Sequence, residues 1–126
     1  AVFSYIEEEI TRVKKLTNMT THSFDLERFG AYFESHEAFP AKTNVEFIVP
    51  ANDGLHMRVF ERGCGETLAC GTGACASLVA AVLTGRSART NKVYLRGGTL
   101  NITWQENNRV LMTGPAMQVF TGTIEI

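Results

Sequence analysis

The residue best suited to chemistry is Cys70, which lies near the end of a glycine-rich stretch. Residues 63–73 hold four glycines, and residues 74–83 are almost entirely apolar, which predicts a loop leading into a buried helix. The backbone N–H groups of residues 71–74, at the start of such a helix, have no carbonyl partners. Together with the helix dipole they bind an anion such as a carboxylate, and they favour the thiolate form of Cys70.

Glu61 and Arg62 come just before this loop, at the end of a predicted strand, and can return to the same place. A reactive thiol beside an anion site suits proton transfer next to a carboxylate. Each feature also has a simpler explanation. A Glu-Arg pair at a strand end is often a solvated surface pair, and a free cysteine is often a small buried apolar residue, as we expect for Cys75. The residues alone therefore indicate an anion site with an activated thiol, and no particular substrate.

Other motifs match less well. Gly71, Gly73 and Ala76 have the spacing of a dinucleotide-binding fingerprint, but no strand-helix-strand unit follows and the next strand ends in Arg96 rather than an acid. A phosphate loop would need Lys-Ser or Lys-Thr after its glycines. The three cysteines lack a Cys-x-x-Cys pair and the three histidines are scattered, so we expect neither a metal site nor a histidine-assisted cysteine hydrolase.

Composition limits the broad class of protein. The chain has 126 residues, 44% of them apolar and 20% charged, as expected for one globular domain. A net charge of -1 does not favour nucleic-acid binding, and no apolar run is long enough to span a membrane. An odd number of clustered cysteines argues against a disulfide framework and so indicates a reducing, cytoplasmic location.

The apolar periodicity predicts an α+β domain in which mostly antiparallel strands curve around one central apolar helix. We expect strands over residues 1–6, 43–49, 55–62, 92–96, 99–105, 109–113 and 117–126. An outer helix is expected over residues 27–35, capped by Ser23, and Pro50 is expected to end its strand. The central helix over residues 74–83 is expected to end at Gly85.

A series of motifs resembles the diaminopimelate epimerase family. The central motifs are ERG at residues 61–63, GET at residues 65–67 and ACGTGACA at residues 69–76. Supporting motifs follow in the family's order: ESH at residues 34–36, FP at 39–40, TNVEF at 43–47, GGTL at 97–100, Trp104 and MTGPA at 112–116. The resemblance thus extends over most of the chain.

The resemblance implies an isomerase that interconverts L,L- and meso-diaminopimelate at the α-carbon. Such an enzyme uses two opposed cysteines as acid and base, and neither pyridoxal phosphate, metal nor another cofactor. Cys70 would be one of the two cysteines, and Glu61 would bind substrate and tune the thiol. The other substrate-binding positions that the resemblance implies are Asn44, Arg62, Gly71 and Thr72.

The resemblance covers the second domain of a two-domain family, here residues 1–126. It implies that the first domain, with the opposing cysteine, lies outside this chain, and we expect this chain alone not to epimerise. A homodimer is also implied, although Phe120 stands where some members have a tyrosine that helps dimerisation. Two alternatives remain open: a related cysteine racemase of another amino acid such as a proline derivative, and a non-catalytic ligand-binding domain of the same fold.

Overall fold

The structure, a computed structural model, describes residues 24–126, which contain two helices and a six-stranded sheet. The elements are α1 (Leu26–Glu34), β1 (Val45–Ala51), β2 (Gly54–Glu61), β3 (Gly65–Thr67), α2 (Gly71–Leu83), β4 (Thr90–Leu95), β5 (Gly98–Trp104) and β6 (Val110–Thr113). The predicted strand over residues 1–6 and the predicted Ser23 cap lie outside the described residues. The α+β class is confirmed.

The sheet is mostly antiparallel, as predicted, with the strand order β1-β2-β4-β5-β6 and β3 paired to β2. Its one parallel contact joins the start of β2 to β4, where Leu55 lies opposite Val93. The end of β2 pairs instead with β3, so that Glu61 lies opposite Gly65. The glycine-rich sequence predicted a loop here, because a three-residue strand that begins with glycine has too little alternation to recognise.

The β1–β2 hairpin corrects a second prediction. Strand β1 continues through Pro50 to Ala51, which lies opposite Gly54. Proline is tolerated because β1 is at the edge of the sheet, where one side of a strand needs no ladder hydrogen bonds. Gly54 has φ 147, and a side chain there would lie 2.6 Å from Lys92 O, so the close approach of β2 to β4 requires glycine.

Helix α2 packs on one face of the sheet and contacts β1, β2, β4, β5 and β6. It therefore occupies the central position that its apolar sequence predicts. The buried residues of this core are Leu55, Met57, Val59, Cys70, Ala74, Leu78, Ala81, Val93 and Ile102. The helix ends as predicted, because Gly85 has φ 71 and the N–H groups of Gly85 and Arg86 bond back to Val82 and Ala81.

Helix α1 packs on the other face, against the alternate residues of β1 and β2. Its cluster contains Leu26, Phe33, Val45, Phe47 and Phe60. The helix begins after Asp25, whose side chain accepts a hydrogen bond from Arg28 N at 3.2 Å. Gly30 allows α1 to pack closely on β2, because a side-chain carbon at Gly30 would lie 2.6 Å from Phe60 Cβ.

A group of ions fixes β3 and the loop that leads to α2. Arg58 donates two hydrogen bonds to the Glu66 carboxylate, at 2.7 and 2.8 Å, and a third to Phe24 O at 2.9 Å. Arg96 contacts the same carboxylate at 3.0 Å. Leu68 O then accepts from Gly97 N at 2.7 Å. The segment before Cys70 is therefore attached to both β2 and the β4–β5 turn.

Glu66→Gln is expected to lower the free energy of unfolding by about 2 kcal/mol at pH 7, because the bidentate pair with Arg58 is largely shielded from solvent. The Arg58 hydrogen bond holds the pKa of Glu66 below its ordinary value. The stabilisation is therefore complete above the unfolded-state pKa and is lost as pH falls through the lower folded-state pKa. Urea unfolding at pH 7 and at pH 3 should show the variant's deficit shrinking in acid.

The matched control for this prediction is Glu106→Gln. The Glu106 side chain is 92% exposed and pairs with Arg89 at 3.3 Å, so its loss should change stability by less than about 0.5 kcal/mol. If both variants unfold at the same urea concentration, the Arg58–Glu66 pair does not anchor β3.

The predicted strand over residues 117–126 is wrong. Residues 114–126 form neither helix nor strand and are exposed, including Met117 and Phe120. An alternating apolar pattern forms a strand only where a neighbouring strand and a buried face are available. Within residues 24–126, no helix has the length and apolarity needed to cross a membrane.

Candidate active site

Cys70 is the N-cap residue of α2 and is only 8% exposed. Its Sγ accepts a hydrogen bond from Gly73 N at 3.4 Å and lies 3.5 Å from Thr72 Oγ1. Its carbonyl oxygen accepts from Ala74 N at 2.9 Å. The cysteine thus begins the helix at Gly71 rather than at residue 74, and it uses two of the four N–H groups that the sequence left open for a ligand.

Asn44 connects the thiol to the end of β2. Its Nδ2 lies 3.9 Å from Cys70 Sγ, a long contact that is within hydrogen-bonding range for sulfur. Its Oδ1 accepts a hydrogen bond from Arg62 N at 2.9 Å. The amide is therefore oriented by the backbone on one side and directed at the sulfur on the other.

Glu61 is the last residue of β2 and is half-buried. Because Leu55, Met57 and Val59 face α2, the alternation of the strand places Glu61 on that same face. Thr67 Oγ1 donates to its Oε1 at 2.5 Å, which fixes the carboxylate beside β3. The structure therefore brings Glu61 to the α2 side of the sheet, where its carboxylate is bonded to Thr67 and acts electrostatically on Glu46.

Arg62 and Gly71 stand at the edge of the site. The Arg62 side chain is exposed and donates to Ala41 O at 3.2 Å, so only its backbone N–H joins the Asn44 contact. At Gly71, a side-chain carbon would lie 3.2 Å from the sulfur of Met112. This methionine of β6 lies beside the first turn of α2 and was not singled out from the sequence.

Two glutamates near the site were also missed. Glu46, on β1, reaches the first turn of α2, where its Cγ and Cδ lie 3.1 Å from the position of a side-chain carbon on Gly73. Glu34, on α1, accepts a hydrogen bond from Gly63 N at 2.7 Å and lies 3.8 Å from Lys42 Nζ. The alternation of β1, which puts Asn44 and Glu46 on one face, was the available signal for Glu46.

The other two cysteines are separate from this arrangement. Cys75 packs against the α2 core, as predicted, but is half-buried rather than fully buried. Burial, followed by the nearby Cys70, raises the pKa of its thiol. Cys64 is exposed in the turn after β2. Among residues 24–126, no three His, Cys, Asp or Glu side chains are grouped closely enough to bind a metal ion.

These contacts define what the site can do chemically. The Cys70 sulfur is oriented by donors from Asn44 and Gly73, which stabilise a thiolate by hydrogen bonding. Gly71 and Thr72 occupy the first helical turn, where N–H groups have no carbonyl within the helix to bond. A small acid bound there would have its carboxylate at the helix terminus and its adjacent carbon near the thiol.

Comparison with known proteins agrees with the motifs. The family model described as "Diaminopimelate epimerase" matches residues 14–119. Diaminopimelate epimerase 1 of a Nostoc species is 63% identical over 79% of this chain and 36% of its own length. The diaminopimelate epimerases of Leptospira biflexa and Methanococcus maripaludis are 53% and 50% identical, over 82% and 96% of this chain.

The relatives are longer than the region that matches. The alignments cover 37% of the Leptospira protein and 50% of the Methanococcus protein. A crystal structure of a phenazine biosynthesis PhzC/PhzF protein from Clostridium difficile shares the fold, with a TM-score of 0.50 and 19% identity over 67% of this chain. The family match covers most of the chain and includes the cysteine at the head of α2. The chain therefore belongs to the diaminopimelate epimerase family.

Proposed function

We propose that this chain supplies one half of the active site of an amino-acid epimerase that interconverts L,L- and meso-diaminopimelate. The observation that carries the proposal is the position of Cys70. Its sulfur caps α2 and receives donors from Gly73 and Asn44, in a chain that belongs to the epimerase family. A thiol in such a position can take or give a proton beside a bound carboxylate.

The proposed step is a single proton transfer on each face of the α-carbon. The Cys70 thiolate removes the α-proton and becomes a thiol, and the electron pair of the C–H bond stays on the carbon. A second thiol on the opposite face then gives its proton to that carbon and becomes a thiolate. No oxidant, metal or organic cofactor enters the balance, and the reverse reaction runs through the same two groups.

The substrate-binding positions are those that the resemblance to the family implies, and the contacts around the thiol support them. The N–H groups of Gly71 and Thr72 would bind the α-carboxylate at the start of α2. Glu61 and Asn44, on the same side of the sheet, would contact the α-amino group and orient the thiol. The exposed guanidinium of Arg62 would exchange the Ala41 carbonyl for a substrate carboxylate.

The second acid/base group is proposed to come from the first domain of the whole protein, because the matched relatives are about two to three times longer than the aligned region. This chain alone would then bind weakly and not epimerise. A homodimer and a cytoplasmic location complete the proposal. Sedimentation of the whole protein tests the homodimer, and cell fractionation tests the cytoplasmic location.

The deciding experiment compares the chain alone with the whole protein. Each is incubated with L,L-diaminopimelate in deuterated water, and the meso isomer and its deuterium content are measured. The proposal expects the meso product, with deuterium at one α-carbon, from the whole protein only. Turnover by the chain alone would contradict the two-domain site.

The same assay with a panel of amino acids separates the alternatives. Conversion of a proline derivative in preference to diaminopimelate would identify a related racemase. Binding of an amino acid without any proton exchange would identify a non-catalytic domain.

A further inference from the structure

Glu46 reaches the first turn of α2, the helix that Cys70 caps, although the proposed chemistry does not use it. In β1, Ile48 packs on the α2 core while Val45 and Phe47 face α1, so the alternation directs Glu46 toward α2. Its carboxyl group fills the space next to Gly73, where any side chain would collide with the Glu46 Oε1 atom. The glycine therefore makes room for the carboxylate at the first turn of the helix.

The Cys70 sulfur contacts the same residue from another side. Gly73 N donates to Sγ at 3.4 Å, so the thiol and the carboxyl group are separated by one glycine. Glu46 is half-buried, and burial raises the pKa of its carboxyl group above the ordinary value; a backbone hydrogen bond works against this shift, and the negative charge of Glu61 adds to it. Burial and a neighbouring carboxylate both disfavour a negative charge on Glu46, and by the same Coulombic repulsion the Glu46 carboxylate disfavours a negative charge on the sulfur.

In the described part of the chain, few other ionisable groups lie around the first turn of α2. Glu61 faces it from β2, and Cys75 from α2 itself. On β4, Lys92 and Tyr94 flank Val93, which faces α2, so these two residues lie on the other side of the sheet. Strands β5 and β6 contain no ionisable residue. The strands packed on this end of α2 thus present the carboxylates of Glu46 and Glu61 to the helix terminus. Arg62, in the turn after β2, is exposed and donates its guanidinium to Ala41 O.

We propose that Glu46 is a positioning residue for Cys70: its carboxylate, next to Gly73, opposes the field of the helix terminus at the sulfur and lowers the reactivity of the thiol. The helix terminus and the donors from Asn44 and Gly73 all favour the thiolate. An epimerase thiol must both take and give a proton, so a carboxylate that opposes the helix field serves the return of the proton to the substrate. The catalytic benefit of Glu46 rests on the proposed function, whereas its electrostatic effect on the Cys70 sulfur does not.

The test measures thiol reactivity in Glu46→Gln, without any substrate. Alkylation of the chain by iodoacetamide is followed by mass spectrometry between pH 6 and 10. Cleavage after Glu66 separates Cys64 from Cys70, and fragment ions separate Cys70 from Cys75. Exposed Cys64 is the internal reference in every sample. At pH 7.5 the Cys70 rate relative to Cys64 is expected to rise about threefold to tenfold, and the midpoint of its pH profile to move to lower pH.

Two further variants separate charge from packing. Glu46→Asp keeps the carboxylate and is expected to stay within about twofold of the parent protein, whereas Glu106→Gln removes an exposed charge from another part of the chain and should change nothing. Circular dichroism verifies that each variant is folded. An unchanged or lower relative rate in folded Glu46→Gln overturns the proposal, as does a Glu46→Asp variant that behaves like Glu46→Gln. Because alkylation involves no substrate, a negative epimerase assay would count against the proposed function and not against the electrostatic effect of Glu46.

Discussion

Cys70→Ser is expected to lower the epimerisation rate of the whole protein by about 10²- to 10⁴-fold while α2 stays folded. Serine is a preferred N-cap residue, so its hydroxyl can accept the Gly73 N–H that the sulfur accepts now. A hydroxyl is a much weaker acid than a thiol and cannot take the α-proton as an anion near neutral pH. The variant therefore removes the proposed proton carrier and keeps the cap. Chiral chromatography of diaminopimelate over time gives the rate.

The control for Cys70→Ser is Cys64→Ser, which changes an exposed thiol in the same glycine-rich segment. Its rate is expected to stay within about twofold of the parent, as for a surface substitution away from the site. A Cys70→Ser enzyme that retains most of its activity would exclude Cys70 as an acid/base group and would leave ligand binding as the role of this helix terminus.

Leu78→Ala is expected to lower the free energy of unfolding by about 3 kcal/mol, the largest stability effect that we predict. Leu78 is 0% exposed in the middle of α2, in the cluster that includes Leu55, Val93 and Ile102. Its truncation leaves a cavity that neighbours on three strands cannot close, because they are also held by the sheet. Urea unfolding at constant pH measures the loss.

Leu83→Ala is the matched control, since it makes the same change in the last turn of the same helix, where Leu83 is 71% exposed. Its effect should be below about 0.5 kcal/mol. Equal losses in the two variants would mean that helix propensity, and not packing of α2 on the sheet, controls stability.

The local chemistry around α2 followed well from the sequence. A run with almost no polar residue predicted a helix enclosed by the sheet, and Gly85 predicted its end. The first helical turn was less well predicted, because the propensities of Gly71 and Gly73 disfavour helix. Tertiary packing overrides this preference, since Gly73 must leave space for Glu46 and Gly71 lies against Met112.

The apolar pattern also gave a wrong prediction of a strand for the last apolar run of the chain. Residues 117–126 carry the pattern of a strand, as β5 does, but only β5 has neighbours on both sides, β4 and β6. Sequence periodicity records which side of a segment is apolar and does not record whether another segment is available to cover it.

The sequence by itself determined the fold class, the central helix and the thiol at its N-terminus, because these depend on residues close together in the chain. Only the tertiary structure decided that Asn44 reaches the sulfur across 26 positions, that the backbone N–H of Arg62 binds Asn44 while its side chain donates to Ala41, and that Glu46 reaches the first turn of the helix that Cys70 caps. These contacts join β1 and the end of β2 to α2. They depend on strand register and on the packing of a helix on a sheet, which no local pattern specifies.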